Sequence, residues 1–574
     1  MKTLIKYLRP FYLRMLGGLS IKIMGTVVEL FIPYILTHIL ENVILAQDIK
    51  KIIFWGLLMI LCAAAACICN IIANRMAAKV SRNYSEQLRR DLFAKTLRLS
   101  SAQTDSFTIA SLESRITTDT YNIHHFIGMM QRMGVRAPIM LVGGIIITMI
   151  MDSYLSLVML ATMPLLFLSV YLISRNGIPL YQKVQKSVDS MIRVVREDVQ
   201  GIRVIKALSK DKYEHNRYNT VNKALVKDEK RAGIIMGSVH PVMNLFMNMG
   251  IVAVIALSAA RITDRLSTPE TVIAFMQYFT QISMSMMAMS RIFTMASKCS
   301  ASANRVEEVL ICEDQLAEKS ETEYPPNENG NIIEFCNVNF SYNGKKDNLS
   351  DISFALKAGE SLGVIGATGS GKTTLIKLLL RFYDVNSGSI YLNGKDIRTI
   401  DRKALYSHFG TVMQNDFLYN DTIMENIKFG RDISDADIKA AAVTAQADAF
   451  ITDFADGYDH VLSQNATNIS GGQKQRILIS RALAGNPEIL ILDDSSSALD
   501  YKTESALRRA LNEKMSDTVV INIAQRVSAV KNCSLILVLD EGKIIGRGTH
   551  EELLDSCAEY KEISDSQMGG AIVE

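Results

Sequence analysis

Cysteine is scarce in this chain and never paired in sequence. Eight cysteines fall among 574 residues, with no CxxC spacing. Neither a disulfide framework nor a cysteine-built zinc site is therefore expected. Cys62, Cys67 and Cys69 sit inside an apolar run, where a thiol serves as a small packing residue. An excess of one charge is lacking as well. Lysine plus arginine number 62 and aspartate plus glutamate 59, a net +3, which offers no field for a nucleic-acid partner. No cleavable leader is legible, because the first apolar run is too long and no small-residue cleavage site follows it. The stretch 313–330, with Pro325 and Pro326, lacks apolar periodicity and reads as a linker.

The chain is too long for one ordinary core. Long apolar runs fill residues 1–312, which also hold most of the methionine: 24 of 28 precede residue 300. Residues 331–574 read as a soluble α/β domain. Six segments, near 12–40, 52–74, 134–151, 154–174, 233–262 and 271–296, read as long and apolar enough to cross a bilayer, which takes roughly 20 residues each. Ten Lys or Arg, from Arg75 to Arg136, separate the second and third spans, and fourteen, from Arg175 to Arg231, separate the fourth and fifth. The outer loops carry only Lys50, Lys51, Arg261 and Arg265, while Lys2, Lys6, Arg9 and Arg14 precede or open the first span. That asymmetry predicts a multi-pass protein of the cell membrane with both termini cytoplasmic.

The two basic segments read as helix throughout, with Leu88, Leu92, Phe93, Leu97 and Leu99 at helical spacing in the first and the same pattern over 188–207 in the second. They predict spanning helices that continue into the cytosol and turn back far from the membrane. Inside the spans, ionisable residues are costly and often functional. Lys22 and Glu29 lie two turns apart on one face, placed to pair with each other or to line a water-filled cavity; His38 and His240 are further candidates. Met276, Met284, Met286, Met287, Met289 and Met295 crowd the sixth span. Such thioethers suit a surface that re-packs around different apolar ligands, and equally they fill cores.

In the second half, an expected strand over 361–365 runs into Gly366-Ala367-Thr368-Gly369-Ser370-Gly371-Lys372-Thr373, followed by Thr374 and an expected helix from about residue 371. Strand, glycine loop and helix N-terminus together make a phosphate cradle. Lys372 is placed to neutralise the β- and γ-phosphates of ATP, and the Thr373 hydroxyl to bind Mg²⁺. Ile489-Leu490-Ile491-Leu492-Asp493 is a strand apolar on both faces, so covered on both. Its terminal acid falls where α/β sheets bind ligands. About a hundred residues after the phosphate loop comes Ile469-Ser470-Gly471-Gly472-Gln473.

That last motif, so placed, resembles the signature of ATP-binding-cassette (ABC) ATPases. The resemblance implies an all-α six-helix transmembrane domain with long cytosolic helical extensions, the exporter fold, followed by an α/β P-loop ABC ATPase domain. It implies that Asp493 is the Walker B aspartate, holding Mg²⁺ through water. By the same resemblance Tyr342 stacks on adenine and Gln414 links the γ-phosphate and metal to the membrane domain. Asp500, in Ser497-Ala498-Leu499-Asp500, contacts the opposite cassette. Ser470, Gly471, Gly472 and Gln473 close over nucleotide held by a second cassette, so the partner is a second, homologous half. Residues 111–119, Ser-Leu-Glu-Ser-Arg-Ile-Thr-Thr-Asp, resemble the exporter pattern just after a first coupling helix. Glu197 with 201–206 resembles the pattern preceding a second, which reaches the partner's cassette.

Two residues depart from the family pattern. The general-base glutamate after the Walker B acid is here Asp494, and the switch-loop histidine is Gln525. The shorter side chain retracts the carboxylate by roughly 1.5 Å, and a misplacement near 1 Å costs about 100-fold in rate. An amide bonds a phosphate but carries no imidazolium charge. Both changes weaken the site on this chain's own phosphate loop, whereas the signature is intact. This asymmetry resembles the degenerate-site subunit of bacterial heterodimeric multidrug ABC exporters, and implies export of small amphipathic or apolar compounds across the cell membrane, with membrane lipid as a further partner. An exporter-fold importer, a lipid or peptide exporter, and an ATP-sensing regulator or gated channel remain as alternatives. No peptidase domain is expected ahead of the first span, which argues against peptide processing. The stretch 463–468 lacks the acidic and glycine residues that usually precede the signature.

Overall fold

A computed structural model describes residues 5–44, 47–263, 268–313, 316, 330–414, 416–495 and 498–568. Most of the expected linker 313–330, together with Asn415 and Ser497, lies outside the described residues. The chain forms two compact units. One comprises Met1–Arg98 and Thr108–Cys312, the other Leu99–Phe107 and Glu313–Glu574.

The first unit is helical. Tyr12–His38 continues through a π-turn, Ile39–Val43. Ile49–Thr96, Thr120–Met151, Ser153–Gln200, Val239–Thr263 and Pro269–Leu310 follow, with Asp211–Gly237 leading into Val239–Thr263. Ile49–Thr96 and Ser153–Gln200 hold 48 residues each, about 72 Å at 1.5 Å per residue, more than twice the apolar thickness of a bilayer. The long cytosolic extensions expected from the basic segments are therefore single continuous helices with the spans. Ile202–Ala207 is a separate short helix between two such legs. The 201–206 motif thus forms the turn element itself rather than preceding it, because the helix breaks at Gly201.

Among the described residues, five stretches are long and apolar enough to cross a membrane: Arg9–Val43, Ile49–Thr96, Ile109–Met151, Ser153–Gln200 and Asp211–Ala259. The sixth expected span lies in Pro269–Leu310, which is long enough at 42 residues but is diluted by Gln277, Gln281, Ser283 and Ser285. Lipid-type faces are evident on Ile49–Thr96, where Ile53, Phe54, Leu57, Ile60, Leu61 and Ile68 are all exposed. The opposite face packs closely, and a Cβ added at Gly25 would lie 2.8 Å from the Cys69 side chain. Small residues admit such close helix contact in lipid.

Lys22 and Glu29 do not pair with each other. The Lys22 ammonium donates to Asn70 (2.7 Å) and Asn74 (3.2 Å) on the next helix. Glu29 instead accepts from Arg136 at 2.6 Å. His38 packs tilted against Trp55, ring centroids 4.6 Å apart and planes at 58°.

The 111–119 motif also has a visible purpose. Asp119 is fully buried and accepts from Ser302 (2.8 Å) and twice from the Arg305 guanidinium, Nε at 2.8 Å. Arg115 donates to the Arg305 carbonyl and pairs with Glu308 at 3.0 Å. These bonds tie Thr120–Met151 to the far end of Pro269–Leu310.

The second unit contains two sheets. β1 (Asn331–Phe340), β2 (Leu349–Lys357), β4 (Ser387–Leu392) and β5 (Lys395–Asp396) form an antiparallel sheet in the order β2-β1-β4-β5. The larger sheet contains β3 (Ser361–Gly366), β6 (Phe409–Val412), β7 (Ile489–Asp493), β8 (Val519–Ile523), β9 (Leu535–Asp540) and β10 (Lys543–Gly548), ordered β10-β9-β3-β8-β7-β6. All its neighbours are parallel except β9 and β10. β7 is buried at every residue, as its unbroken apolar sequence predicts. A second apolar core joins Ile423, Ile427, Ile438, Ile477 and Leu478 in a helical layer. The short helix Ser101–Phe107 belongs to this unit: Asp105 accepts from the Tyr383 hydroxyl at 2.5 Å, and Gln103 donates to the Glu313 carbonyl.

Replacing Asp119 with Ala strands Ser302 and Arg305 without their acceptor. A loss of about 1–3 kcal/mol is expected, read as a lower midpoint in thermal unfolding of the detergent-purified chain.

Candidate ATP site

Four parallel strands deliver the site to one edge of the larger sheet. β3 runs into the glycine loop, β8 into Gln525, β7 ends at Asp493 and Asp494 follows, and β6 leads to Gln414. Because these strands are adjacent and parallel, their C-terminal ends open on the same crevice. A cleft of about 270 Å³ there is lined by Thr368, Gly369, Gly371, Lys372, Thr373, Thr374, Gln414, Asp493, Asp494 and Gln525, with Asn348 and 523–524. Nearly the whole predicted nucleotide set therefore converges.

The loop geometry follows from its glycines. Gly371 has φ +106°, and a Cβ there would lie 2.7 Å from Leu349 and 3.0 Å from the Asn348 carbonyl. Only glycine fits such a left-handed, crowded position. Gly369 is also left-handed, and Gly366, Ala367 and Ser370 complete the turn into helix Lys372–Leu379. The Lys372 ammonium folds back on the Gly366 and Ala367 carbonyls, 2.8 Å each. Burial holds it below the usual lysine range, with Asp493 and Asp494 opposing. Burial likewise raises the Asp493 carboxyl, against the hydrogen bond from Thr373. Burial thus costs both charged forms solvation, which a triphosphate and its cation would offset.

The donor set fits Mg²⁺. The Thr373 hydroxyl lies 3.3 Å from an Asp493 oxygen, and the Gln414 amide shares the wall; hard oxygens of this kind suit that ion. Asp494 follows with φ +54° and its N–H on the Ile523 carbonyl at 2.9 Å. Aspartate is among the side chains that most readily tolerate such a backbone.

Tyr342 is not on the cleft wall but stands beside it. Its hydroxyl is 3.3 Å from Thr374 and Lys377 sits over its ring. Tyr383 packs edge-on against the same ring at 5.0 Å, so the side chain holding Asp105 also touches the expected adenine platform.

The signature is absent from the cleft lining. Ser470 caps helix Gly471–Leu483 in a reciprocal capping box. Its hydroxyl accepts from the Gln473 N–H (3.2 Å), and its own N–H donates to the Gln473 side chain (2.9 Å). A Cβ on Gly472 would meet the Ala498 carbonyl at 3.1 Å, and Asp500 caps the next helix, Tyr501–Lys514. The 463–468 stretch forms a tight polar turn with Asn465 and Ala466 left-handed.

Sequence reasoning passed over Asn348, whose side chain accepts from the Tyr342 N–H at 3.1 Å; one asparagine among many carries no signal. It also passed over Arg481. That guanidinium bonds the Asn426 and Phe417 carbonyls, 2.8 Å each, joining the Gln414 loop to the signature helix. A cation set between Ile477, Leu478, Ile479 and Ala482 was a readable sign.

Family comparisons agree with this geometry. Residues 15–286 match the ABC transporter transmembrane region and residues 349–497 the ABC transporter family. "Uncharacterized ABC transporter ATP-binding protein YfiB" of Bacillus subtilis (strain 168) is 34% identical over 580 residues, covering 99% of each chain. "Uncharacterized ABC transporter ATP-binding protein YfiC" of the same strain is 31% identical, covering 97% of this chain and 93% of that one. A solved structure, "Structure of a bacterial Atm1-family ABC exporter with ATP bound", has a TM-score of 0.80 at 24% identity, covering 96% and 98%. That likeness establishes the fold.

Two outcomes are expected. With Asp493 raised by burial, stability falls as pH rises from the unfolded value of about 3.9 toward the folded one. Asp493→Asn removes that cost, so the nucleotide-free protein at pH 7 should melt higher while Mg–ATP affinity drops by about tenfold or more. Tyr383→Phe keeps the ring but releases Asp105. ATP affinity should then stay within about twofold, while amide exchange over 101–107 speeds by about tenfold.

Proposed function

The chain belongs to the ABC transporters, and we propose that it is one half of a heterodimeric exporter, contributing a weak ATP site and an intact signature. The observation that carries this is an asymmetry. Asp494 and Gln525 both line the cleft built on this chain's own phosphate loop, whereas Ser470–Gln473 lie outside it at an exposed, fully capped helix start.

In this reading ATP and Mg²⁺ bind at Lys372, Thr373, Gln414 and Asp493, and the partner's signature closes over them. The retracted Asp494 carboxylate orients water poorly there, and Gln525 offers the γ-phosphate a neutral hydrogen bond only. The competent site pairs the partner's Walker motifs with this chain's Ser470–Gln473. There the Ser470 hydroxyl and the first free N–H groups of the signature helix face the γ-phosphate, aided by the helix dipole. ATP binding draws the cassettes together and turns the membrane cavity outward; hydrolysis at the competent site resets it. Two full-length relatives in one strain, YfiB and YfiC, support distinct homologous halves coexisting in one cell. The methionine-rich sixth span supports an amphipathic or apolar cargo.

The test is ATP hydrolysis and efflux with and without a co-expressed partner half. The lone chain should turn over ATP slowly. Asp494→Glu with Gln525→His should raise its rate by about 100-fold, less roughly 1 kcal/mol if Glu tolerates the left-handed backbone poorly. Full-rate hydrolysis by the unmodified lone chain would rule out the degenerate site. Uptake rather than efflux in oriented vesicles would favour an importer.

A further inference from the structure

The membrane unit holds a second cleft, of about 330 Å³, in the seam between Thr120–Met151 and Pro269–Leu310. The two helices run antiparallel. Asn122 donates to Ser302 at 3.0 Å, and a Cβ on Gly144 would meet the Ile282 side chain at 2.9 Å. Both contacts fix one register, in which Met133 faces Arg291 and Arg136 lies about one turn away. The apolar walls include Met133, Met140, Met284 and Met287, and the two guanidiniums of Arg136 and Arg291 sit at one end.

Charge in this cleft is one-sided, for no carboxylate lines it. Arg136 is partly neutralised by Glu29. Arg291 is exposed and, among the described residues, pairs with no carboxylate. Deeper in the cleft the side-chain oxygen of Gln281 is buried without a partner. Arg291 lies 22 residues into its helix, about 33 Å from the start, hence near the cytoplasmic edge of the apolar layer. An unpaired guanidinium beside four methionines at that depth has no packing rationale, and ionisable groups so placed commonly mark a substrate path.

We propose that this seam binds an amphipathic anion. The apolar body lies on the methionines, whose flexible side chains accommodate varied shapes. The carboxylate, sulfonate or phosphate accepts from the Arg291 fork, with Arg136 adding field. The Gln281 amide meets a hydrogen-bond donor of the ligand or of water bound with it. The volume is that of a small-molecule pocket. This rests on the reading of the membrane unit as a transport domain and narrows its cargo from amphipathic compounds in general to anionic ones. The same headgroup chemistry is available from an anionic lipid of the inner leaflet or from a dissolved solute.

The test is calorimetric titration, without nucleotide, of the full chain in phosphatidylcholine nanodiscs. The probes are an anilinonaphthalene sulfonate and a naphthyl trimethylammonium of similar apolar size. The sulfonate should bind saturably and more tightly. Arg291→Gln should weaken it by about fivefold or more and leave the ammonium within about twofold, while Arg291→Lys recovers part of the loss. Arg136→Gln should also weaken the sulfonate; should its broken pair with Glu29 prevent folding, the exposed Arg291 variants still decide. Replacing a fifth of the lipid with phosphatidylglycerol separates the sources. Competition supports a lipid anion and its absence a dissolved one, and both sustain the anion site. Equal binding of the two probes, or an unchanged sulfonate affinity in Arg291→Gln, would overturn it. ATP-driven transport by the same preparation is read separately. Loss of charge selectivity with transport intact removes only this proposal, whereas selective binding without ATP-driven transport removes only the exporter reading.

Discussion

The cassette depends on holding two charges where neither is comfortable. Lys372 and Asp493 sit at the C-terminal edge of one parallel sheet, both buried enough to be pushed toward their neutral forms. A triphosphate and Mg²⁺ bound here would offer each charged form a countercharge, which favours it. The adjacency of β3, β8, β7 and β6 is what makes this possible, since it brings four separate loops to one crevice. Of these four strands β7 is buried at every position, which explains why it is apolar throughout before its acid. The left-handed turns at Gly369 and Gly371 then bring backbone and lysine onto the same point.

Much of this was legible in the sequence because the chemistry is local. A glycine loop between strand and helix, or an acid ending an apolar strand, announces itself within a few residues. The long basic segments likewise revealed helices that outrun the membrane. What was illegible depends on distant contacts. Lys22 and Glu29 share a helix face, which suggested mutual pairing, yet Asn70 and Arg136 on other helices capture them. Asp119 looked like part of a family pattern, and only the fold reveals Arg305 and Ser302 across from it. Tyr342 was foreseen as a platform, but its support by Tyr383, and through it Asp105, joins residues 278 apart in sequence. The helix break at Gly201 was also missed, since periodicity on both sides ran unbroken.

The two halves divide the problem of coupling in complementary ways. Ser101–Phe107 is built into the second unit and touches the side chain that braces Tyr342, the expected adenine platform. Arg481 joins the segment after Gln414 to the helix that opens at Ser470, so the expected γ-phosphate contact and the signature motif share one half-buried guanidinium. A weak site at Lys372 is consistent with this layout. Under the proposed heterodimer, bound ATP would hold the local geometry, and through Arg481 the signature, while turnover occurred at the other site. In the membrane unit the seam at Arg136 and Arg291 sets two guanidiniums beside an apolar, methionine-rich wall, the arrangement on which the proposed anion site rests.

The central claim is that ATP held by this chain's phosphate loop persists while the partner's is consumed. It is tested most directly by γ-phosphate retention in the assembled transporter. An azido-adenine nucleotide, labelled on either the α- or the γ-phosphate, is photocrosslinked near Tyr342 and near its counterpart in the partner after timed turnover. Nucleotide on this chain should keep α- and γ-label in equal measure over an interval in which the partner's loses most of its γ-label. Equal loss from both chains would contradict the account.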